Sequence, residues 1–227
     1  MKTKWLGWIS LLTLISVTLW LLLLIWDMAT AGPLETFQQV LAHTLKGDWK
    51  FTFSYLNAGI LTICVIALMG GLYVFCRPTT PEWSVVGFVF VPVYGTLNLF
   101  AYLSQITLVP ALIQGASDPV MADTALFILK HTLQLLPGST IGFFNNLAYA
   151  ILGIPSFIFG RALTIGHNRV LRISGWLLIL NAVACILGVI GTSISSDFLS
   201  LGTILGGAIF WISLIPMTYA FLVRRDE

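Results

Sequence analysis

His43 and His131 stand 88 positions apart in two segments that echo each other, ETFQQVLAHTL at 35–45 and DTALFILKHTL at 123–133. Each His follows an acid by two helical turns, Glu35 in one copy and Asp123 in the other. Such a pair could hold a metal or pass a proton at the mouth of a site. Zinc takes three or four ligands, often at close spacing, and neither HExxH nor CxxC occurs in the chain. The spacing therefore favours helices whose His marks the boundary between water and lipid, and no metal is expected.

A second set of candidates is polar and neutral. Tyr94, Asn98, Tyr102 and Gln105 recur at helical spacing, with Pro92 shortly before Tyr94. Asn145, Tyr149 and Ser156 share a helical face, with Asn146 beside them and Pro155 as a kink. Ser174, Asn181 and Cys185 share another. An amide left unpaired in hydrocarbon costs several kcal/mol, so these stripes should face inward and converge. They could be bonds between helices, worth ~1–2 kcal/mol or less each. Bonding of that kind is common in bundles and is the favoured reading; the alternative is a neutral pocket, with Tyr94, Asn98, Tyr102, Gln105, Asn145, Tyr149 and Asn181 as polar fixtures in an apolar wall.

The elements that must position these residues follow from composition. Charged residues are 9% and hydrophobic ones 58% of 227, with a mean hydropathy of +0.95. A soluble domain carries roughly 25% charged residues, so most of this surface must face lipid. The net charge of +2 gives no footprint for nucleic acid. Cys64, Cys76 and Cys185 read as small buried hydrophobes.

A membrane helix needs about 20 mostly apolar residues. Six windows qualify, at 5–26, 51–75, 84–108, 139–160, 173–194 and 198–223, and none contains Lys, Arg, Asp or Glu. Trp5, Trp8, Trp26, Trp49 and Trp83 sit near window ends, where an indole can be half wet. The chain is thus expected to be an all-α integral membrane bundle, a single domain over 1–227. The first window also resembles a secretory signal, with MKTK before it and ATA at 29–31. Its length exceeds the usual apolar core of ~7–15 residues, which favours a retained helix.

Basic residues set the direction. With a cytoplasmic N-terminus, Lys2, Lys4, Arg77, Arg161, Arg169, Arg172, Arg224 and Arg225 fall inside, and Lys46, Lys50 and Lys130 outside. That eight-to-three bias predicts both termini in the cytoplasm of a cell (inner) membrane. The acids Asp27, Glu35, Asp48, Asp118, Asp123 and Asp197 fall outside.

Both echoing segments then lie in outer loops, as amphipathic helices over about 33–46 and 121–136. In the first, Glu35, Gln39, His43 and Lys46 oppose an arc of Leu34, Phe37, Val40, Leu41, Thr44 and Leu45. Pro33 suits its first turn and Gly47 its stop. In the second, Asp123, Lys130, His131 and Gln134 oppose Ile128, Leu129, Thr132, Leu133 and Leu136. Phe127 interrupts that polar arc, which predicts deeper burial of this copy. Asn57 and Asn145 match at the same offset of 88. The chain reads as three related hairpins, the last joined by a short turn near Ser195–Asp197. Gly202 and Gly206 read as a packing seam.

This layout, with the basic loop RALTIGHNRVLRISGW at 161–176, resembles an uncharacterised bacterial family of six-helix integral membrane proteins, of the domain-of-unknown-function 4386 type. The resemblance implies a six-helix bundle and supplies no activity. For an enzyme the chain lacks a nucleophile elbow, paired carboxylates at membrane depth, a phosphate loop and a basic pocket, so none is expected, and no cofactor. Ion coupling usually leaves an acid or His within a span, although sodium can use carbonyls and hydroxyls. The leading expectation is a multi-pass protein that binds a lipid or a small, apolar, uncharged ligand among spans three to five. A transporter or permease subunit comes second, and a membrane-embedded enzyme third.

Overall fold

Within hydrocarbon a backbone must satisfy its own N–H and C=O groups, so apolar runs of this length become helices. The computed structural model describes residues 4–46, 49–166 and 168–223. Lys2, Gly47, Asp48, Arg224 and Arg225, used above for orientation and helix ends, lie outside the described residues, as does His167.

The order is α1 (Lys4–Ala31), α2 (Phe37–Leu45), α3 (Trp49–Cys76), α4 (Pro81–Gly115), α5 (Ala122–Thr132), α6 (Thr140–Ile165), α7 (Arg169–Ser193), α8 (Asp197–Ser200) and α9 (Gly202–Leu222). Six of these, with α8 and α9 taken as one, are long and apolar enough to cross a membrane. Most run a turn or more past the apolar windows, because helices continue through the charged and capping residues that flank them. Pro81 starts α4, Ser139 caps α6 and Asn168 caps α7 with its side chain.

The six long helices form a closed ring. Each packs on the next along the chain, and α9 returns to α1. Five seams carry side-chain hydrogen bonds. Asn57 of α3 donates to the Ser16 carbonyl of α1 at 3.1 Å and accepts from the Ser16 hydroxyl at 3.1 Å. Asn98 of α4 donates to Thr62 of α3 at 2.9 Å, and Asn145 of α6 donates to Asn98 at 2.8 Å. Asn181 of α7 donates to the Gly206 carbonyl of α9 at 2.9 Å. Ser10 and Thr218 close the ring at 2.8 Å, with Trp211 donating to Thr18 at 2.9 Å.

The sixth seam, α6–α7, is built on glycine. A methyl added at Gly160 would stand 2.7 Å from the Gly175 carbonyl oxygen, and one at Gly175 would meet that of Gly160 at 2.6 Å. No larger residue lets the two backbones come so close. Gly202 and Gly206 pack against Ala184, Gly188 and Cys185 of α7, the seam their spacing predicts.

The result is a mainly apolar core with polar groups turned inward, and an apolar outside. Ser10, Thr13, Asn57, Thr62, Asn98, Gln105, Asn181 and Ser213 are buried, while Leu12, Ile15, Ile63, Val89, Phe100, Leu180 and Ile204 are exposed. Soluble proteins rarely expose apolar patches beyond a few hundred Å². Here the outer surface is a belt for lipid. Cys76 and Cys185 are buried free thiols, and Cys64 is partly buried.

The echoing segments lie at the same end of the bundle and touch. Val40 of α2 packs with Leu129 of α5, Leu133 just after it and Val109 of α4. Lys130 lies over the Phe37 ring at 5.5 Å. The two copies share a detail: Thr44 donates to the Val40 carbonyl and Thr132 to the Ile128 carbonyl, both at 2.8 Å. Three expectations need correction. Helix α2 begins after Thr36, which forms a capping box with Gln39, so Pro33 and Glu35 precede the helix. Leu45 is exposed, and Phe127 is 64% exposed against the His131 ring rather than buried. The second copy is nonetheless the deeper, through Ala125, Leu129 and Leu133. The last hairpin turns at Ser195, in the left-handed region at φ 55°, and enters the single turn α8.

Candidate functional site

The predicted polar stripe does face inward: Tyr94, Asn98, Tyr102 and Gln105 are all buried. The opposite face of α4, with Val89, Val93, Phe100 and Leu103, is apolar and exposed, as suits lipid. The side-chain amide of Asn98 is the hub. It donates to the Thr62 hydroxyl at 2.9 Å and the Tyr94 hydroxyl at 3.3 Å, and accepts from Asn145 at 2.8 Å. One turn further, the Tyr102 and Tyr149 hydroxyls meet at 2.6 Å.

Two members behave differently. Gln105 clamps the chain that follows α5, donating to the Thr132 carbonyl at 2.9 Å and accepting from the Gln134 N–H at 3.1 Å. Asn181 does not join Asn98. It turns toward α9, where Gly206 carries no side chain and its carbonyl comes within reach. The Ser156 and Ser174 hydroxyls are buried without a hydrogen-bond partner among the described residues.

A cavity of about 320 Å³ opens at the end of the bundle that carries α2 and α5, between the ends of α1 and α3 and beneath α2. Its aromatic wall is Trp20, Trp26, Trp49, Phe51, Tyr55 and Tyr102. Its polar wall is Asp27, His43, Lys46, Lys50 and Gln134. Phe51 and Tyr55 meet edge to face at 4.8 Å, and Tyr55 and Tyr102 pack at 6.2 Å. Of the seven residues suggested as ligand fixtures, Tyr102 belongs to this wall. It therefore has the cavity on one side and the interior chain of hydrogen bonds on the other.

The two histidines have separate partners. His43 Nε2 stands 3.3 Å from Asp27 Oδ1, an ion pair when the ring is protonated, although the geometry is not that of a hydrogen bond. The acid beside His43 is thus Asp27 of α1, because Glu35 precedes α2. His131 Nδ1 lies 3.3 Å from the Thr140 hydroxyl, and the His131 ring is exposed. Among the described residues no three His, Cys, Asp or Glu side chains gather as a metal would need.

Of the cavity residues, only Tyr102 and His43 stand out in the sequence as candidates, His43 for a metal or proton site and not as part of a ligand pocket. Asp27 and Lys50 read in the sequence only as markers of sidedness, Lys46 also as part of the polar arc of the first amphipathic segment, and Trp26 and Trp49 as interfacial anchors. Trp20 offered a signal of its own, since it is an indole placed inside an apolar window rather than at its end.

Compared with family models, curated proteins and solved structures, the chain matches none. Its class rests on the fold itself. Six apolar helices in a ring, with polar groups inward and an apolar belt outward, define a multi-pass helical membrane protein.

Proposed function

We propose that this is a non-enzymatic protein of the cell (inner) membrane that binds a lipid in the outer cavity, with both termini in the cytoplasm. One observation carries the reading. A cavity of about 320 Å³ with aromatic walls and a charged rim opens at the end of spanning helices. The wall is apolar below, through Trp20, Leu23 and Leu24, and charged above, through Asp27, Lys46 and Lys50. That gradient matches an amphiphile. The orientation is supported by Lys4, Arg77, Arg161, Arg169 and Arg172 at one end of the helices and Lys46, Lys50 and Lys130 at the other. Kinship with the six-helix family is a proposal resting on six spans with two amphipathic helices at one end.

Native mass spectrometry of the detergent-purified protein tests the reading. A lipid retained in stoichiometric amount is expected, and Ser54→Trp, which fills the cavity from its wall, should release it while the protein stays folded. Retention unchanged by Ser54→Trp would place the lipid elsewhere and defeat the proposal. The transporter reading draws on Tyr102, which links the cavity to the interior bonds. Ligand-dependent flux in liposomes would decide for it.

A further inference from the structure

We propose that the cavity selects a phospholipid with a zwitterionic head, one carrying an ammonium beside its phosphate; this rests on the lipid-binding reading above. The rim charges come from three elements and line one cavity. Asp27 lies in the last turns of α1, Lys46 caps α2, and Lys50 lies in the first turn of α3. The Asp27 side chain is 39% exposed, so its carboxylate reaches the opening, while His43, only 14% exposed, backs it.

A head with only a phosphate would bring an anion up to the Asp27 carboxylate. A head with only an ammonium would face both lysines. An uncharged head would displace water from all three and return hydrogen bonds charged on one side only, with no opposite charge for any of them. A zwitterion gives each sign a partner through charge-assisted hydrogen bonds.

The aromatic wall strengthens the cationic half. Indole faces attract ammonium groups, and Trp26 already holds the Lys50 ammonium 4.5 Å from its ring centroid. Trp49 and Tyr55 offer further faces in the same wall. Depth points to a lipid rather than a free headgroup compound. Leu23 and Leu24 lie about one turn of α1 below Asp27 and Trp20 about two, which extends the apolar wall toward the membrane interior.

The test uses delipidated full-length protein in non-ionic detergent. The probes are lysophosphatidylethanolamine, lysophosphatidylglycerol and monoacylglycerol of one chain length, with soluble phosphoethanolamine as a fourth. The zwitterionic lysolipid should bind about tenfold or more tightly than the anionic and the uncharged ones, as expected of hydrogen bonds to charged groups. Asp27→Asn should erase its advantage over lysophosphatidylglycerol. Lys46→Gln should erase its advantage over monoacylglycerol, and Lys46→Arg should keep it. Equal or tighter binding of the anionic or uncharged lysolipid to the native protein overturns the proposal but leaves lipid binding standing. An unchanged preference in folded Asp27→Asn overturns it too. Phosphoethanolamine binding as tightly as the lysolipid would make the free compound the ligand. Failure of every lysolipid to bind removes the lipid-binding reading itself. The order of affinities in the native protein decides alone, so a variant that fails to fold leaves the test intact.

Discussion

Asn145 donates a 2.8 Å hydrogen bond to the side-chain oxygen of Asn98, and Asn98 donates in turn to Thr62 at 2.9 Å. One amide thereby ties α3, α4 and α6 at the centre of the ring. Replacing Asn98 by Leu strands the Asn145 amide in an apolar interior and should lower stability by about 1–3 kcal/mol. A double-mutant cycle between Asn98 and Asn145, read by unfolding in mixed detergent, should give a coupling of about 0.5–2 kcal/mol. Additive effects would mean that the bond contributes nothing.

The α6–α7 seam has no such tolerance. Gly160→Val would drive a side chain into the Gly175 carbonyl, which a methyl alone would approach to 2.7 Å. The helices must part, at about 2 kcal/mol or more. Gly207→Ala is the control, since nothing lies within 4 Å of the added methyl. Thermal shift in detergent should separate the two clearly, and equal melting points would contradict the seam.

Leu129 and Phe127 are two positions apart on α5 but differ in surroundings. Leu129 is fully buried against Val40 and Val109, whereas Phe127 is 64% exposed. Leu129→Asp should therefore strip α5 from α4 and α2, at several kcal/mol for a buried unpaired charge. Phe127→Asp should change stability by less than about 0.5 kcal/mol. Limited proteolysis of the 116–139 segment reads the difference directly.

Sidedness can be checked by single cysteines in a background lacking Cys64, Cys76 and Cys185. Positions within 77–82 and 161–172 should resist a membrane-impermeant reagent added to intact cells, and positions within 35–46 and 118–131 should react. Labelling of the 161–172 loop from outside would reverse the orientation.

The spans were legible because absence of charge over a membrane's thickness leaves a chain few alternatives. The inward stripe of α4 was legible for a related reason, since Asn98 and Gln105 can be satisfied only by protein. Periodicity gives a face and not a neighbour, however. Asn181 sits between α6 and α9, and Gly206 decides the contest by letting the α9 backbone approach. The start of α2 was written in Thr36 and Gln39, a capping pair that outranks Pro33 as a signal. The cavity was the least legible part. Its walls come from the ends of α1, α2 and α3 with Tyr102 and Gln134 added from the next hairpin, so no single stretch of sequence carries its pattern.

The most direct measurement asks whether a retained lipid lies in the cavity. A photo-crosslinking residue replaces Leu135, in the cavity wall, or Ile212, on the lipid-facing side of α9. After washing until only the tightly held lipid remains, irradiation and mass spectrometry identify the adduct at each position. A lipid adduct at Leu135 and none at Ile212 is the result expected of a lipid seated in the outer cavity. Adducts confined to Ile212, or none at Leu135 while lipid is still retained, would contradict it.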